Sequence, residues 1–280
     1  MLNLREIHKP TTLADALKFL QQPGTVALAG GTALNADARK DVTAVIDLSA
    51  LGLAYIRESS GAIAIGATTT LAAIDESPIL CAVGNGVLAQ TAHRSAASIL
   101  RNQATIAGTL ICEPDGILAV GLLALDAQVT IVRKESRTVS LADFLSMREH
   151  LLVMALITEI SLPMTNPRSS LQTVARTPSD KPIVSVGVSA QINNGVARDV
   201  RIALGGVGEI AVRANAAEKI LEGQSLNDRL IDNAVGAIHP GTAHQGESPL
   251  QPRGDFRGSA EYRKEMAIVL TRRAIKELMA

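Results

Sequence analysis

The stretch Val26-Ala27-Leu28-Ala29-Gly30-Gly31-Thr32-Ala33-Leu34 constrains the fold most. Residues 26–29 read as a buried apolar strand, and residues 33–38 suit a short helix. Between them, a glycine pair and a hydroxyl form a turn whose backbone N–H groups come close to a neighbour, an anionic one above all. A second stretch, Thr105-Ile106-Ala107-Gly108-Thr109-Leu110, has the same character. Either alone is also what a plain strand-to-helix turn looks like. Together they give two adjacent subdomains one glycine loop each, with which to grip a pyrophosphate from both sides. The donors would be loop amides and the hydroxyls of Thr32, Thr105 and Thr109. Neither loop holds a lysine or arginine, so oriented dipoles rather than net charge would carry such a site.

The length of 280 residues suffices for two domains or one large one with subdomains. With 47% hydrophobic and 19% charged residues, a sizeable core is expected and disorder is not. Lys+Arg and Asp+Glu both number 27 and form no block of like charge, which argues against nucleic acid or an anionic membrane as partner. The aromatic residues are Phe19, Phe144, Phe256, Tyr55 and Tyr262, too few for a surface that stacks single-stranded nucleic acid. Cys81 and Cys112 fall short of the about four ligands of an iron–sulfur or structural zinc site. They read as small core residues in a reducing compartment. The N-terminus has no secretory pattern, and no run of about 18 apolar residues predicts a membrane span. A cytoplasmic location is expected.

Thr12-Leu13-Ala14-Asp15 opens a helix with a capping-box-like pattern, and Leu13, Ala16, Leu17 and Leu20 give it an apolar face. Pro23-Gly24 ends it. Another strand is predicted at 43–48, and a hairpin of 54–57 and 62–66 turns at Ser59-Ser60-Gly61. Helices follow at 71–74, 78–91, 95–100, 117–125 and 140–144, and strands at 127–133 and 152–162. Residues 163–170, with two prolines, read as a linker. Strands at 171–176, 183–192 and 196–204 come next, the last two joined by Asn193-Asn194-Gly195. Helices at 211–221 and 226–238 and a loop at 240–254 precede a terminal helix capped by Ser259. Its expected buried stripe is Tyr262, Met266, Val269, Leu270, Ala274 and Leu278.

Other chemistry is not supported. There is no GxSxG elbow and no catalytic cysteine signature. Neither GxGxxG nor a P-loop occurs. His8, His93, His150, His239 and His244 are scattered. His239 and His244 share a loop without nearby carboxylates, a poor metal site, and read as surface histidines.

Six short segments in order then carry a resemblance. They are Ala29-Gly30-Gly31-Thr32, the run Arg101-Asn102-Gln103-Ala104-Thr105-Ile106-Ala107-Gly108-Thr109, and Leu122-Leu123-Ala124-Leu125-Asp126-Ala127. Pro182-Ile183-Val184-Ser185-Val186, Ala203-Leu204-Gly205-Gly206-Val207 and Ser259-Ala260-Glu261-Tyr262-Arg263 complete them. Over nearly its whole length the chain resembles the FAD-binding medium subunit of molybdenum hydroxylases, the group of xanthine dehydrogenase and aerobic carbon monoxide dehydrogenase. The resemblance implies an α+β fold: FAD-binding subdomains at 1–60 and 61–165, then a flavoprotein C-terminal domain at 170–280 with three antiparallel strands and three helices. It implies FAD with its diphosphate between the two loops. The first loop would bring Ala27, Leu28, Ala29, Gly30, Gly31, Thr32, Ala33 and Leu34 to it, and the second Thr105, Ile106, Ala107, Gly108 and Thr109. It further implies a hetero-oligomer in which a 2Fe-2S small subunit passes electrons to FAD and on to an acceptor, while a large subunit holds the molybdenum cofactor. No catalytic side chain and no metal ligand is assigned to this chain, and no motif reveals the acceptor.

Three positions depart from the family pattern. Ala107 replaces a glycine, Thr109 replaces Asn or Ser, and the segment from Leu110 to Gly116 is one residue short. Ile117 then falls on the usual acidic position, and Asp115 is the candidate substitute for contacting a flavin or ribityl hydroxyl. Two other readings stay open. One is a scaffold subunit with weakened FAD binding, motivated by Ala107 and the shortened segment. The other is a free-standing flavin oxidase.

Overall fold

The structure, a computed structural model, describes residues 4–37, 41–59, 61–177, 180–238 and 250–279. Thr12 caps the first helix as its spacing predicts, its side chain accepting from the Asp15 N–H. That helix, α1 (Leu13–Leu20), follows β1 (Glu6–His8); then come β2 (Thr25–Leu28), α2 (Thr32–Asp37) and β3 (Ala44–Asp47). The strands form a parallel sheet in the order β1-β3-β2. The central strand β3 buries Ala44, Val45 and Ile46, as a parallel strand covered on both faces should. Contrary to the sequence reading, β2 is not a buried strand: Ala27 and Ala29 are exposed. It is an edge strand with β3 as its one neighbour, and its open side faces the cavity described below.

A five-stranded antiparallel sheet follows, in the order β4-β5-β8-β6-β7. Its strands are β4 (Ile56–Ser59), β5 (Ala62–Gly66), β6 (Gln128–Val132), β7 (Ser136–Ser140) and β8 (Leu156–Pro163). The sheets thus part ahead of Ile56, a few residues before the expected break at 60. Strand β7 is absent from the sequence reading because it carries one buried apolar residue, Val139, and so lacks alternation. Between β5 and β6 run α3 (Leu71–Asp75), α4 (Pro78–Ala82), α5 (Val87–Ser95), α6 (Ser98–Arg101), α7 (Ile106–Cys112) and α8 (Ile117–Ala124). The single helix expected at 78–91 is broken into α4 and α5. Gly84, Asn85 and Gly86 between them all have positive φ (54°, 51° and 70°), which no α-helix accommodates. The helix expected at 140–144 extends as α9 (Leu141–Leu151), capped by Ser140.

Beyond Arg168, four antiparallel strands lie in the order β12-β11-β10-β9. They are β9 (Arg168–Val174), β10 (Val184–Asn193), β11 (Val196–Gly205) and β12 (Val212–Arg213). Asn194 and Gly195, with φ of 50° and 77°, make the expected tight hairpin. Three antiparallel strands are therefore as expected, with β12 as a fourth. The helix expected at 211–221 starts late, as α10 (Asn215–Leu221). Val212 and Arg213 instead pair with Leu204 and Ala203, and Glu218 grips Arg213 from the following turn. Helices α11 (Asp228–Gly236) and α12 (Ala260–Met279) complete the domain. His239 and His244, and most of the loop expected around them, lie outside the described residues. Among the described residues no single helix is long and apolar enough to cross a membrane; α7 and α8 together pass such a test but are bent by 111°.

The buried stripe of α12 is rotated from the expected one. Arg263, Ala267, Leu270, Thr271, Ala274, Ile275 and Leu278 are buried, while Tyr262 is exposed. Arg263 explains the shift. Its guanidinium donates to the carbonyls of Ile183 (2.7 Å) and Gly206 (3.0 Å) and to Asp255 Oδ1 (2.7 Å). Three of the family-like segments meet at this one side chain. Burial pushes the Asp255 carboxyl up, but the Arg257 N–H and the guanidinium groups of Arg263 and Arg257 outweigh it and hold the carboxyl well below the usual carboxylate range. With the folded value below an unfolded one of about 3.9, this contribution is complete above that pH and is lost as pH falls through the folded value. Asp255→Asn should lower the thermal midpoint at neutral pH and narrow the gap to the native chain in acid, below about pH 4. Calorimetric scans over a pH series check this; a gap that is constant with pH would contradict it.

Candidate functional site

A cavity of about 620 Å³ opens where the edge strand β2 and helix α2 face α7. Its volume lies within the about 300–1,000 Å³ typical of small-molecule sites. All eight residues from Ala27 to Leu34 line it, as do Thr105, Ala107, Gly108 and Thr109. The structure thus brings together two stretches more than 70 residues apart in sequence. Two expected residues stand outside the lining. Ile106 is fully buried in the core behind it. Asp115 sits past the end of α7, where its carbonyl accepts from the Gly206 N–H at 3.2 Å and ties this segment to the C-terminal domain.

The two stretches contribute differently. A Cβ on Gly30 would stand 1.7 Å from the Gln103 carbonyl oxygen, so only glycine lets the first loop approach the segment that leads into α7. Gly31 has φ of +70° and turns the chain into α2. The N–H groups of Thr32, Ala33 and Leu34 open the first turn of that helix and have no intrahelical acceptor. The second stretch is not a loop but the start of a helix. Thr105 caps α7, its Oγ1 accepting from the Gly108 N–H at 3.3 Å. The Ile106 N–H donates to the Thr69 carbonyl (2.9 Å), that of Ala107 to Ala67 (3.2 Å) and that of Thr109 to Thr105 (2.9 Å). Amides that the sequence reading offered to an anion are therefore engaged within the protein. This side supplies the wall and two hydroxyls. Ala107 belongs to that wall and is 7% exposed.

Positive charge reaches the cavity from two places the sequence reading missed. Arg94, at the end of α5, lines it and donates to Thr173 Oγ1 at 2.9 Å. Lys181, in the β9–β10 connection, lines it and is ion-paired with Glu113. Neither belongs to a motif, and nothing local to either residue could have revealed them. Leucine, isoleucine and alanine side chains make up most of the remaining wall, among them Leu71, Leu100, Ile111 and Leu156. Among the described residues no group of three or more His, Cys, Asp or Glu could hold a metal ion.

Two family models match the chain. One describes the FAD binding domain in molybdopterin dehydrogenase and covers residues 3–165; the other describes the CO dehydrogenase flavoprotein C-terminal domain and covers residues 169–278. The chain belongs to the FAD-binding medium-subunit family of molybdopterin dehydrogenases. It is 29% identical over 278 residues to the glyceraldehyde dehydrogenase medium chain of Sulfolobus acidocaldarius, covering 95% of each chain. It is 28% identical to the carbon monoxide dehydrogenase medium chain of Afipia carboxidovorans, over 98% of this chain and 96% of that one. A solved Cu,Mo-CO dehydrogenase in a cyanide-inactivated form superposes with a TM-score of 0.88 at 26% identity, over 99% of this chain and 98% of that one.

FAD is the cofactor of this oxidoreductase subunit. The cavity fits it on three counts: its volume, a helix first turn whose amides have no intrahelical acceptor, and a largely apolar wall that also carries Arg94 and threonine hydroxyls. Gly30→Ala tests how far the cavity depends on the loop contact, because the methyl would force Gly30 and Gln103 apart. The variant should lose bound FAD on gel filtration while keeping native far-ultraviolet dichroism. Full retention of FAD would mean that the loops need not meet.

Proposed function

We propose that this chain is the electron-transferring FAD subunit of a molybdenum hydroxylase complex. Electrons enter from a separate 2Fe-2S small subunit, pass to FAD, and leave to an external acceptor. A large subunit with the molybdenum cofactor oxidises the substrate. The observation that carries this reading is the cavity itself: two glycine-bearing stretches, far apart in sequence, close around it. FAD, once bound, takes up and releases electrons. The residues of the chain bind, orient and shield it. In this reading the first-turn amides from Thr32 to Leu34 hold the diphosphate, and Gly30 and Gly31 let the backbone come close. The hydroxyls of Thr105 and Thr109 add polar contacts from the other wall. Arg94 and Lys181 balance the charge that the loops leave unbalanced. Ala27 to Ala29, Ala33, Ala107 and Gly108 shape the walls, while Ile106 and Asp115 support the site from behind.

Three domains, at 1–60, 61–165 and 170–280, divide the work: the first two enclose FAD, and the third brings Lys181 to it. A cytoplasmic location and a hetero-oligomeric state belong to the same reading. The absorption spectrum of the purified chain, with released cofactor identified by mass, tests it. Flavin bands and FAD at about one per chain are expected. A colourless chain that takes up no added FAD would favour a scaffold role instead.

Gly108→Asp is a sharper probe. A Cβ there meets Thr105 Oγ1 at 2.9 Å and nothing else within reach, so the fold should survive while a carboxylate enters the site. Like charge against the diphosphate should weaken FAD binding on the order of 10²-fold. Gly108→Asn separates charge from bulk. Equal FAD affinity in the two variants would remove the diphosphate from this wall.

A further inference from the structure

Arg101 closes α6 and does not itself line the FAD cavity, yet Arg94, Ser95, Ala96, Ala97 and Leu100, just ahead of it, all do. This wall crosses the break between α5 and α6. Ala96 (φ −156°, ψ 161°) and Ala97 (φ −59°, ψ 151°) are extended there. The carbonyls at the end of α5 therefore lack intrahelical donors and need others.

One side chain supplies them. Arg101 donates through a single Nη to the His93 carbonyl and to the Ala96 carbonyl, each at 3.0 Å. Its Nε lies 3.5 Å from Asp75 Oδ2 at the end of α3, and His93 Nδ1 lies 2.9 Å from that same oxygen. The guanidinium thus ties the ends of α3, α5 and α6 together. It is 15% exposed, so this is a packed junction rather than a surface pair. Asp75 balances its charge, and what Arg101 gives the cavity is geometry.

The same helix end also meets the first glycine stretch. Leu100 in the wall accepts from the N–H groups of Gln103 (3.0 Å) and Ala104 (2.7 Å). The Gln103 carbonyl is the group that Gly30 approaches too closely for any Cβ. Arg101 stands between the wall that carries Arg94 and the contact that brings the two glycine-bearing stretches together. A shift of α6 would move both.

We propose that Arg101 is a positioning residue for FAD. It acts through the wall from Arg94 to Leu100, which it holds at the spacing that bound FAD requires, and Asp75 holds Arg101 in turn. The proposal rests on the reading of the cavity as the FAD site and adds to it a junction that touches no cofactor.

The test uses the full chain, stripped of FAD and titrated with FAD by flavin fluorescence. Arg101→Lys keeps the charge but cannot reach the carboxylate and both carbonyls from one planar group. It should weaken FAD binding about ten-fold, and Asp75→Ala about three-fold. Both should alter the visible circular dichroism of the flavin that remains bound, which reports how the wall fits around it. Arg168→Gln is the control. It removes a comparable hydrogen bond, from Arg168 to the Leu278 carbonyl at 3.0 Å near the end of α12, outside the cavity lining. It should lower the thermal midpoint and leave FAD affinity and dichroism unchanged. If Arg101→Lys fails to fold, Asp75→Ala decides. A native chain that binds no FAD overturns the cavity reading and this proposal with it. A native chain that binds FAD, with both junction variants matching it in affinity and dichroism, overturns the proposal alone. So does an equal loss of affinity in Arg168→Gln, which would make the effect one of general stability.

Discussion

Helix α8 has no polar face, and the arrangement of the domains follows from covering it. All eight of its residues from Ile117 to Ala124 are buried. A helix of this kind has to be enclosed by protein on every side. Helix α5 packs on one side, where a Cβ on Gly121 would come within 2.7 Å of the Thr91 side chain. The C-terminal sheet packs on another, where Gly187 and Gly205 make room for Val120 and Ala124. Ser189 adds a hydrogen bond to the Ala124 carbonyl. The FAD-binding part and the C-terminal domain therefore share one apolar helix and are held as neighbours by the cost of exposing it.

That shared helix has a consequence at the site. The β9–β10 connection, fixed by the sheet against α8, carries Lys181 to the cavity. The Asp126 carboxylate just after α8 reinforces the alignment through Arg201 at 2.7 Å. Thus the domain that contributes no glycine stretch still supplies part of the charge. An anionic cofactor met only by backbone dipoles on one side and hydroxyls on the other would be left with uncompensated charge. In the proposed reading, Arg94 and Lys181 are the cations at hand to offset it.

The glycine stretches were legible because residue identity marks them, whether the demand is a local turn, as at Gly31, or a close approach, as at Gly30. Gly31 needs a positive φ for its turn, and Gly30 leaves no room for a Cβ against the Gln103 carbonyl. The Thr12 cap and the Asn194-Gly195 hairpin were legible for the same reason. Strand β7 and the late start of α10 were not, because pairing with the preceding strand, rather than their own periodicity, decides them. The rotated stripe of α12 belongs with these: a buried Arg263 looks like a surface residue until the carbonyls of Ile183 and Gly206 are seen around it.

The sequence by itself determined the two glycine-bearing stretches and, through its resemblance to the family, the class of fold and the cofactor. These rest on residue identity, backbone freedom and order along the chain, which need no partner to be read. The tertiary structure alone decided that the second stretch offers a capped helix whose amides are already engaged, that the Asp115 carbonyl ties to the C-terminal domain, and that Arg94 and Lys181 line the cavity. The reason is physical: hydrogen-bond satisfaction and charge compensation are settled between groups close in space, and for these residues the partners lie far away in sequence.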